Sequence, residues 1–286
     1  MGAINRVNGT PDDLPPRSGW TTTWAAAPQL TEPDNLPPAP FTRAGLALTD
    51  CTLRQTVHLS IGGDQLRLRF SNAFGRVPLR IGSVSLALPV EGAAGASAIR
   101  PATCRQVLFG GQSSVTVPPG SLAVSDPVRL DVTPRSNLAV TAYLPDGIPV
   151  DGLTSHPGSR TTSHLMAGDV VADPDPGPTV QVEHWYLLSA VEVVTGSGAF
   201  AVVMLGDSLT DGRGSTTNGN DRWPDLFTAR LHDTDGTAGA GLDPEAAVVN
   251  QAAGGNRVLA DGIGPSALSR LDRDVLALSG VRHLVV

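Results

Sequence analysis

The serine best placed to do chemistry stands in the string Leu205-Gly206-Asp207-Ser208-Leu209-Thr210-Asp211-Gly212, directly after the apolar run 199–205. A serine hydroxyl is a weak nucleophile until a neighbouring base takes its proton. At a strand-to-helix turn it projects out of the sheet, and the backbone N–H groups of the turn can point toward a developing oxyanion. In open α/β sheets ligands bind at the carboxyl ends of the strands, which is where this string falls. Asp207 and Ser208 are also both good helix caps, so the string alone leaves catalysis and capping open. Two other motifs are excluded. The nucleophile elbow G-x-S-x-G needs glycine at position 210, which is threonine. A dinucleotide loop needs a third glycine where Thr217 stands.

Other chemistries are removed by composition. All 20 basic residues are arginines, so a GxxxxGK[ST] phosphate loop, a Schiff-base lysine and a Ser–Lys dyad are ruled out. Cys51 and Cys104 stand far apart with no CxxC pair, which argues against a cysteine zinc site and leaves a disulfide or two small buried hydrophobes. A net charge of −7 and the lack of any basic run argue against a nucleic-acid surface. No apolar run approaches the roughly 20 residues that span a bilayer. The start Met1-Gly-Ala-Ile-Asn-Arg lacks the apolar core of a signal peptide.

The elements that would position Ser208 fall into two regions. Residues 1–19 form a loose, Pro- and Asp-rich start, and 27–40 has the same character. From 20 to 195 a β-rich domain is expected. Residues 56–61 and 65–70 alternate around Gly62-Gly63-Asp64, and short runs follow at 79–88, 113–117, 128–132, 137–144 and 180–194. Such short strands, separated by turn clusters, point to an antiparallel sandwich or jelly roll. The segment Asp173-Pro-Asp-Pro-Gly-Pro178 reads as a loop.

After Thr195-Gly-Ser-Gly198 the pattern changes. Buried strands are expected at 199–205 and 246–250, and a third apolar run, read as a strand, starts at 283. Helices are expected at 223–232, with Leu226, Phe227 and Leu231 on one face, and at 265–278, with Leu268, Leu271 and Val275 on one face. Strand–helix–strand–helix–strand opens a doubly wound parallel sheet, and residues 199–286 are read as its first part.

Gly206-Asp207-Ser208-Leu209 resembles the first block of the SGNH/GDSL hydrolases. Their next block follows the second strand as Asn-x-x-x-x-Gly, and here Asn250-Gln-Ala-Ala-Gly254-Gly255-Asn256-Arg257 stands at that point. Asp221-Arg-Trp223-Pro224 and the stretch from Gly264 to Asp274 are similar to the same family. So, more weakly, are Trp24-Ala-Ala-Ala-Pro28 and His156-Pro-Gly-Ser-Arg160. The branch resembled is the xylan-esterase-like one, with a β-rich domain ahead of a flavodoxin-like catalytic domain. The resemblance implies a serine esterase working through an acyl-serine, with Ser208 as nucleophile and the N–H groups of Ser208 and Gly255 in the oxyanion hole. Gly206, Asp207, Asn250 and Asn256 would support the site, Asp207 by holding the turn. It implies no metal or organic cofactor, and a small ester or acylated carbohydrate as ligand, with a short, acetyl-like acyl group on a carbohydrate or aryl alcohol.

The family's Gly-x-Asn-Asp and Asp-x-x-His blocks have no counterpart in this sequence. None of His58, His156, His164, His184, His232 and His283 has an aspartate three residues before it, and each is read as structural or surface. The expectation is a chain truncated before its base, with little turnover of its own. The rival readings are a non-catalytic, glycan-binding module and one half of a split enzyme.

Overall fold

The computed structural model describes residues 19–196, 198–233, 243 and 245–286. The loose start read over residues 1–19 therefore lies outside the described residues except for Gly19. The chain is strand-rich, and most of its strands pair antiparallel.

One sheet orders Gly19–Ala25, Leu188–Thr195, Gly63–Ser71 and Leu122–Val124, with Val128–Val132 also pairing onto Gly63–Ser71. A larger sheet is built on two 13-residue strands, Leu46–His58 and Asn137–Pro149, which pair antiparallel from His58↔Asn137 to Leu46↔Pro149. A third, small sheet orders Trp185–Tyr186, Thr154–His156 and Gln29–Leu30. The alternating runs at 56–61 and 65–70 lie in or at the ends of these strands, and 173–178 is a loop.

Gly19–Ala25 escapes a hydropathy reading because its centre is Thr21-Thr22-Thr23, yet β-branched and aromatic residues favour a pleated surface. All three threonines are buried. Their hydroxyls are satisfied by Thr195 Oγ1 at 2.9 Å, Glu192 Oε1 at 3.4 Å and the Ile61 carbonyl at 2.7 Å.

Residues 200–285 hold a three-stranded parallel sheet in the order Ala246–Asn250, Phe200–Met204, Val281–Val285. The first strand in sequence is therefore central. The connections leaving it diverge to opposite sides, which opens a crevice at its carboxyl end. One apolar core runs through both regions: Leu66, Leu68, Trp185 and Val191 cluster with Ala201, Val203, Val249 and Val275.

Buried ionic contacts reinforce the junction. Glu192, fully buried, pairs with Arg67 and, at 2.5 Å, with Arg69, while Arg69 also donates to the Ala277 carbonyl at 2.6 Å. Backbone bonds cross there too, as Thr22 N–H donates to the Ser279 carbonyl at 3.0 Å.

Two expectations need correction. Trp223–Leu231 is a helix as expected, but Leu226 and Phe227 are exposed, and it is Pro224 and Thr228 that face inward. The second expected helix is instead a chain of turns with a single π-helical turn, Asp272–Leu276. Its inward positions are mixed: Val275 is buried in the apolar core with Leu271 packed against it, Arg270 and Asp274 are buried and paired at 2.9 Å, and Leu268 is 61% exposed. Arg270 is held in by the Gln251 carbonyl and Asn256 Oδ1, and a buried guanidinium must keep such partners. Cys51 and Cys104 are both free thiols, which decides between the two alternatives left open for them.

Candidate active site

The chain leaves the central parallel strand through Leu205, whose N–H still donates to the Val285 carbonyl at 2.8 Å. At Gly206 the turn folds so tightly that a Cβ would stand 2.6 Å from Thr210 Oγ1, so only glycine fits. Asp207 then caps the helix Ser208–Asp211, accepting from the Leu209 N–H at 3.0 Å. Gly212, at φ 110, ends the helix after one turn. Of the two uses left open for the string, capping is present, at Asp207. Ser208 is the first helical residue, half-buried on a cleft.

The loop after the second parallel strand is tied to this turn. Asn250 Nδ2 donates to the Thr210 carbonyl at 2.8 Å, and its Oδ1 accepts from the Ala252 N–H at 3.1 Å. Ala253 N–H donates to the Gly206 carbonyl at 3.1 Å. Asn256 closes the loop's next turn, donating to the Pro265 carbonyl at 2.7 Å and accepting from Arg270 at 2.8 Å. Gly254 lines the cleft beside Ser208. Gly255, next to it, is exposed and left-handed at φ 67, where a Cβ would lie 2.6 Å from Ile263. Among the described hydrogen bonds none uses the N–H of Ser208 or of Gly255.

The antiparallel region supplies the opposite wall. His156, buried at 4% exposure, lies 2.8 Å through Nε2 from Asp211 Oδ1 and 3.0 Å through Nδ1 from the Ala27 carbonyl. A carbonyl only accepts, so Nδ1 carries a hydrogen, and Nε2 shares the remaining proton with Asp211. Gly158 passes so close to the Asp211 carboxylate that a Cβ would collide with it. Arg222 donates to the Ser159 carbonyl and lies over the Trp185 ring, 5.1 Å from its centroid. Burial lowers its guanidinium from its ordinary value, against the pull of Asp225 and Asp211.

Sequence reasoning noticed the stretch from His156 to Arg160 only through the resemblance and read His156 as structural. The structure makes it a clamp on the serine's own helix. No sequence spacing signals that pairing, because the two partners lie 55 residues apart.

The cleft measures about 230 Å³ and is walled by Ser208, Gly254, Arg213, Gly158, Arg160 and Glu32 among others. A larger hollow of about 520 Å³, near Gly62, Thr133 and Glu245, is lined by no serine, cysteine or histidine among the described residues, so the smaller cleft is the chemical candidate. Among the described hydrogen bonds none joins a histidine to Ser208. His164 spends both ring nitrogens on Thr179 and Gly95, and His232 bonds the Ala246 carbonyl. Among the described residues no group of three or more His, Cys, Asp or Glu is placed to hold a metal ion.

Ser208 thus stands at the carboxyl end of the central strand of a parallel sheet, at the head of a helix and on a cleft. Residues 202–286 match the family model described as GDSL-like Lipase/Acylhydrolase. No curated protein matches the chain at a significant level. Two solved structures are similar at 11% identity. One is a family two carbohydrate esterase from Cellvibrio japonicus, with TM-score 0.20, covering 85% of this chain and 52% of that one. The other is an active-site mutant of a family two carbohydrate esterase from Clostridium thermocellum, with TM-score 0.22, covering 93% and 61%. The chain thus spans 52% and 61% of the lengths of these two structures.

Proposed function

We propose that the protein is a carboxylic ester hydrolase working through an acyl-serine on Ser208, and that its substrates carry short, acetyl-like acyl groups on carbohydrate or aryl alcohols. The observation that carries the reading is a half-buried serine on a cleft at the head of a helix, whose own backbone N–H no described hydrogen bond uses; Gly255, next to the cleft-lining Gly254, is read as the second donor. Preorganised donors of this kind stabilise the charge that develops on the carbonyl oxygen. Gly206, Asp207 and Asn250 hold the turn, and Asn256 holds the loop that carries Gly255. The carbohydrate esterases named above are esterases of the proposed class, but at their TM-scores the likeness adds no weight.

No described histidine reaches Ser208, so turnover by these residues alone should be slow, at the level that an oxyanion hole and binding sustain without a complete triad, roughly 10³–10⁴-fold over water. The antiparallel region acts as a wall and clamp for the serine in this reading. The test is covalent labelling by a fluorophosphonate, read by mass spectrometry, beside turnover of 4-nitrophenyl acetate. One adduct on Ser208 that disappears in Ser208→Ala is expected. No adduct on Ser208, or labelling on another residue that persists unchanged in Ser208→Ala, would overturn the proposal.

A further inference from the structure

Arg160 departs from ordinary behaviour in three ways. Its backbone stands at φ 49, a left-handed value that side-chain-bearing residues seldom adopt. Its Nε–H is buried without a hydrogen-bond partner among the described residues. No described hydrogen bond or ion pair involves the rest of its guanidinium, although the chain holds more acidic than basic residues, 27 against 20. A buried donor left unmade is costly to the fold, and native proteins keep few of them.

The conformation is held from several sides. Asn218 N–H donates to the Arg160 carbonyl at 2.9 Å, and Asn218 Oδ1 accepts from the Thr162 N–H at 2.8 Å. Ser159 Oγ closes onto the Thr161 carbonyl at 2.8 Å. Backbone strain that the surroundings over-determine in this way clusters where a ligand is clamped.

The strained residue lines the Ser208 cleft. Arg213, exposed and in no described ion pair, lines it as well. On the acidic side stand Glu32, which already accepts from Asn35 at 3.0 Å, and Asp211, whose carboxylate is taken by His156. Two guanidinium groups therefore face the cleft against one unneutralised carboxylate. Arg160 also reinforces the lowering that burial imposes on Arg222, as a second cation placed close to the first does.

We propose that the cleft selects esters that carry a free carboxylate close to the ester carbonyl, with Arg160 receiving that carboxylate through its planar fork and Arg213 adding charge at the rim. The proposal rests on the reading of Ser208 as nucleophile. In the reaction, Ser208 Oγ bonds to the ester carbonyl carbon, the carbon–alcohol oxygen bond breaks, and the serine proton leaves with the alcohol. Water then cleaves the acyl-serine and returns a proton to Oγ, and the acid is released. The carboxylate takes no part in bond making; it fixes the ester in the cleft. It belongs either to the acyl part, as in a dicarboxylic hemiester, or to the alcohol, as in an acylated uronic acid.

The experiment measures binding first, so that it does not depend on turnover. Ser208→Ala protein is titrated by calorimetry with monoethyl succinate against ethyl acetate, and with O-acetyl glucuronic acid against O-acetyl glucose. One anionic ester should bind at least about ten-fold tighter than its neutral counterpart, as charge-assisted bidentate bonds imply. Which of the two does so tells whether the carboxylate is on the acyl or the alcohol side. The preference should vanish when Arg160→Gln or Arg160→Gly is added. The glycine variant should keep or raise the melting temperature, because glycine suits φ 49. Equal binding of both pairs, no measurable binding of any ester, or a preference that survives in a folded Arg160→Gly protein would each overturn the proposal. An anion preference with no Ser208 adduct in the labelling test would instead sink the nucleophile and leave the anion subsite standing.

Discussion

The clamp between His156 and Asp211 yields a number that can be checked. Replacing His156 by alanine leaves the Asp211 carboxylate, 6% exposed, without its partner at 2.8 Å. It also leaves the Ala27 carbonyl without the donor at 3.0 Å. Removing one member of a buried pair costs about 3–5 kcal/mol, and the orphaned carbonyl adds about 1 kcal/mol. Arg222, which also faces Asp211, offsets part of this. The expected net loss is about 3–4 kcal/mol, a fall in melting temperature of roughly 6–16 °C at about 2–4 °C per kcal/mol.

Asp211→Ala should cost less, about 1–2 kcal/mol, since a neutral imidazole tolerates an unpaired Nε2 better than a carboxylate tolerates burial. The double variant should then fall short of the sum by about 2 kcal/mol, within the range found for groups in contact. The assay is urea unfolding followed by tryptophan fluorescence, because Trp185 stacks on the His156 ring with centroids 5.8 Å apart. Single costs that add to within about 0.5 kcal/mol in the double variant would refute the coupling. Since Asp211 closes the helix that Ser208 opens, fluorophosphonate labelling should slow in step with the stability lost.

Two further outcomes follow from buried titratable groups. Burial alone raises the Glu192 carboxyl, but Arg69, Ser279 and Arg67 outweigh it and hold the group below its ordinary value. A depressed carboxyl contributes stability that is complete above its unfolded value and is lost as pH falls through the lower folded one. Glu192→Gln should therefore flatten the acid limb of the stability curve below about pH 4.5 and cost about 3–5 kcal/mol at neutral pH; an unchanged acid limb in an otherwise folded variant would contradict this. Burial likewise pushes the Cys51 thiol up to about 12, while Cys104 is half-buried. Iodoacetamide at pH 8 should alkylate Cys104 and spare Cys51 in the native protein, read by peptide mass spectrometry, and equal labelling would contradict the burial.

The turn at 206–212 was legible because its determinants are local. A glycine, a capping aspartate and a serine in consecutive positions determine one turn, and Asn250 follows its strand at a fixed place. The three parallel strands were legible because continuous apolar runs have few other uses. The failures share a physical cause. Leu226, Phe227 and Leu268 look core-bound on helical spacing, yet inward positions went to Thr228, Arg270 and Asp274, which carry their own hydrogen-bond partners. Periodicity weighs hydrophobicity and cannot see a satisfied buried ion pair. The i,i+4 spacing of Arg270 and Asp274 was the available sign. The His156–Asp211 contact and the orphaned Nε of Arg160 are tertiary facts, and no window of sequence contains both halves of either.

The pairing of Gly19–Ala25 with Leu188–Thr195 sets the order of events during synthesis. Thr22 and Glu192, hydrogen-bonded in the finished fold, leave the ribosome 170 residues apart. At about 5–20 residues per second, on the order of 10–30 s pass between them. For that interval the Thr- and Trp-rich strand has no ladder, and it must be shielded from pairing elsewhere. His156 and Gly158 are also made before the helix they clamp. The serine turn therefore emerges after that wall, and it docks onto a surface that the preceding residues have already had time to build.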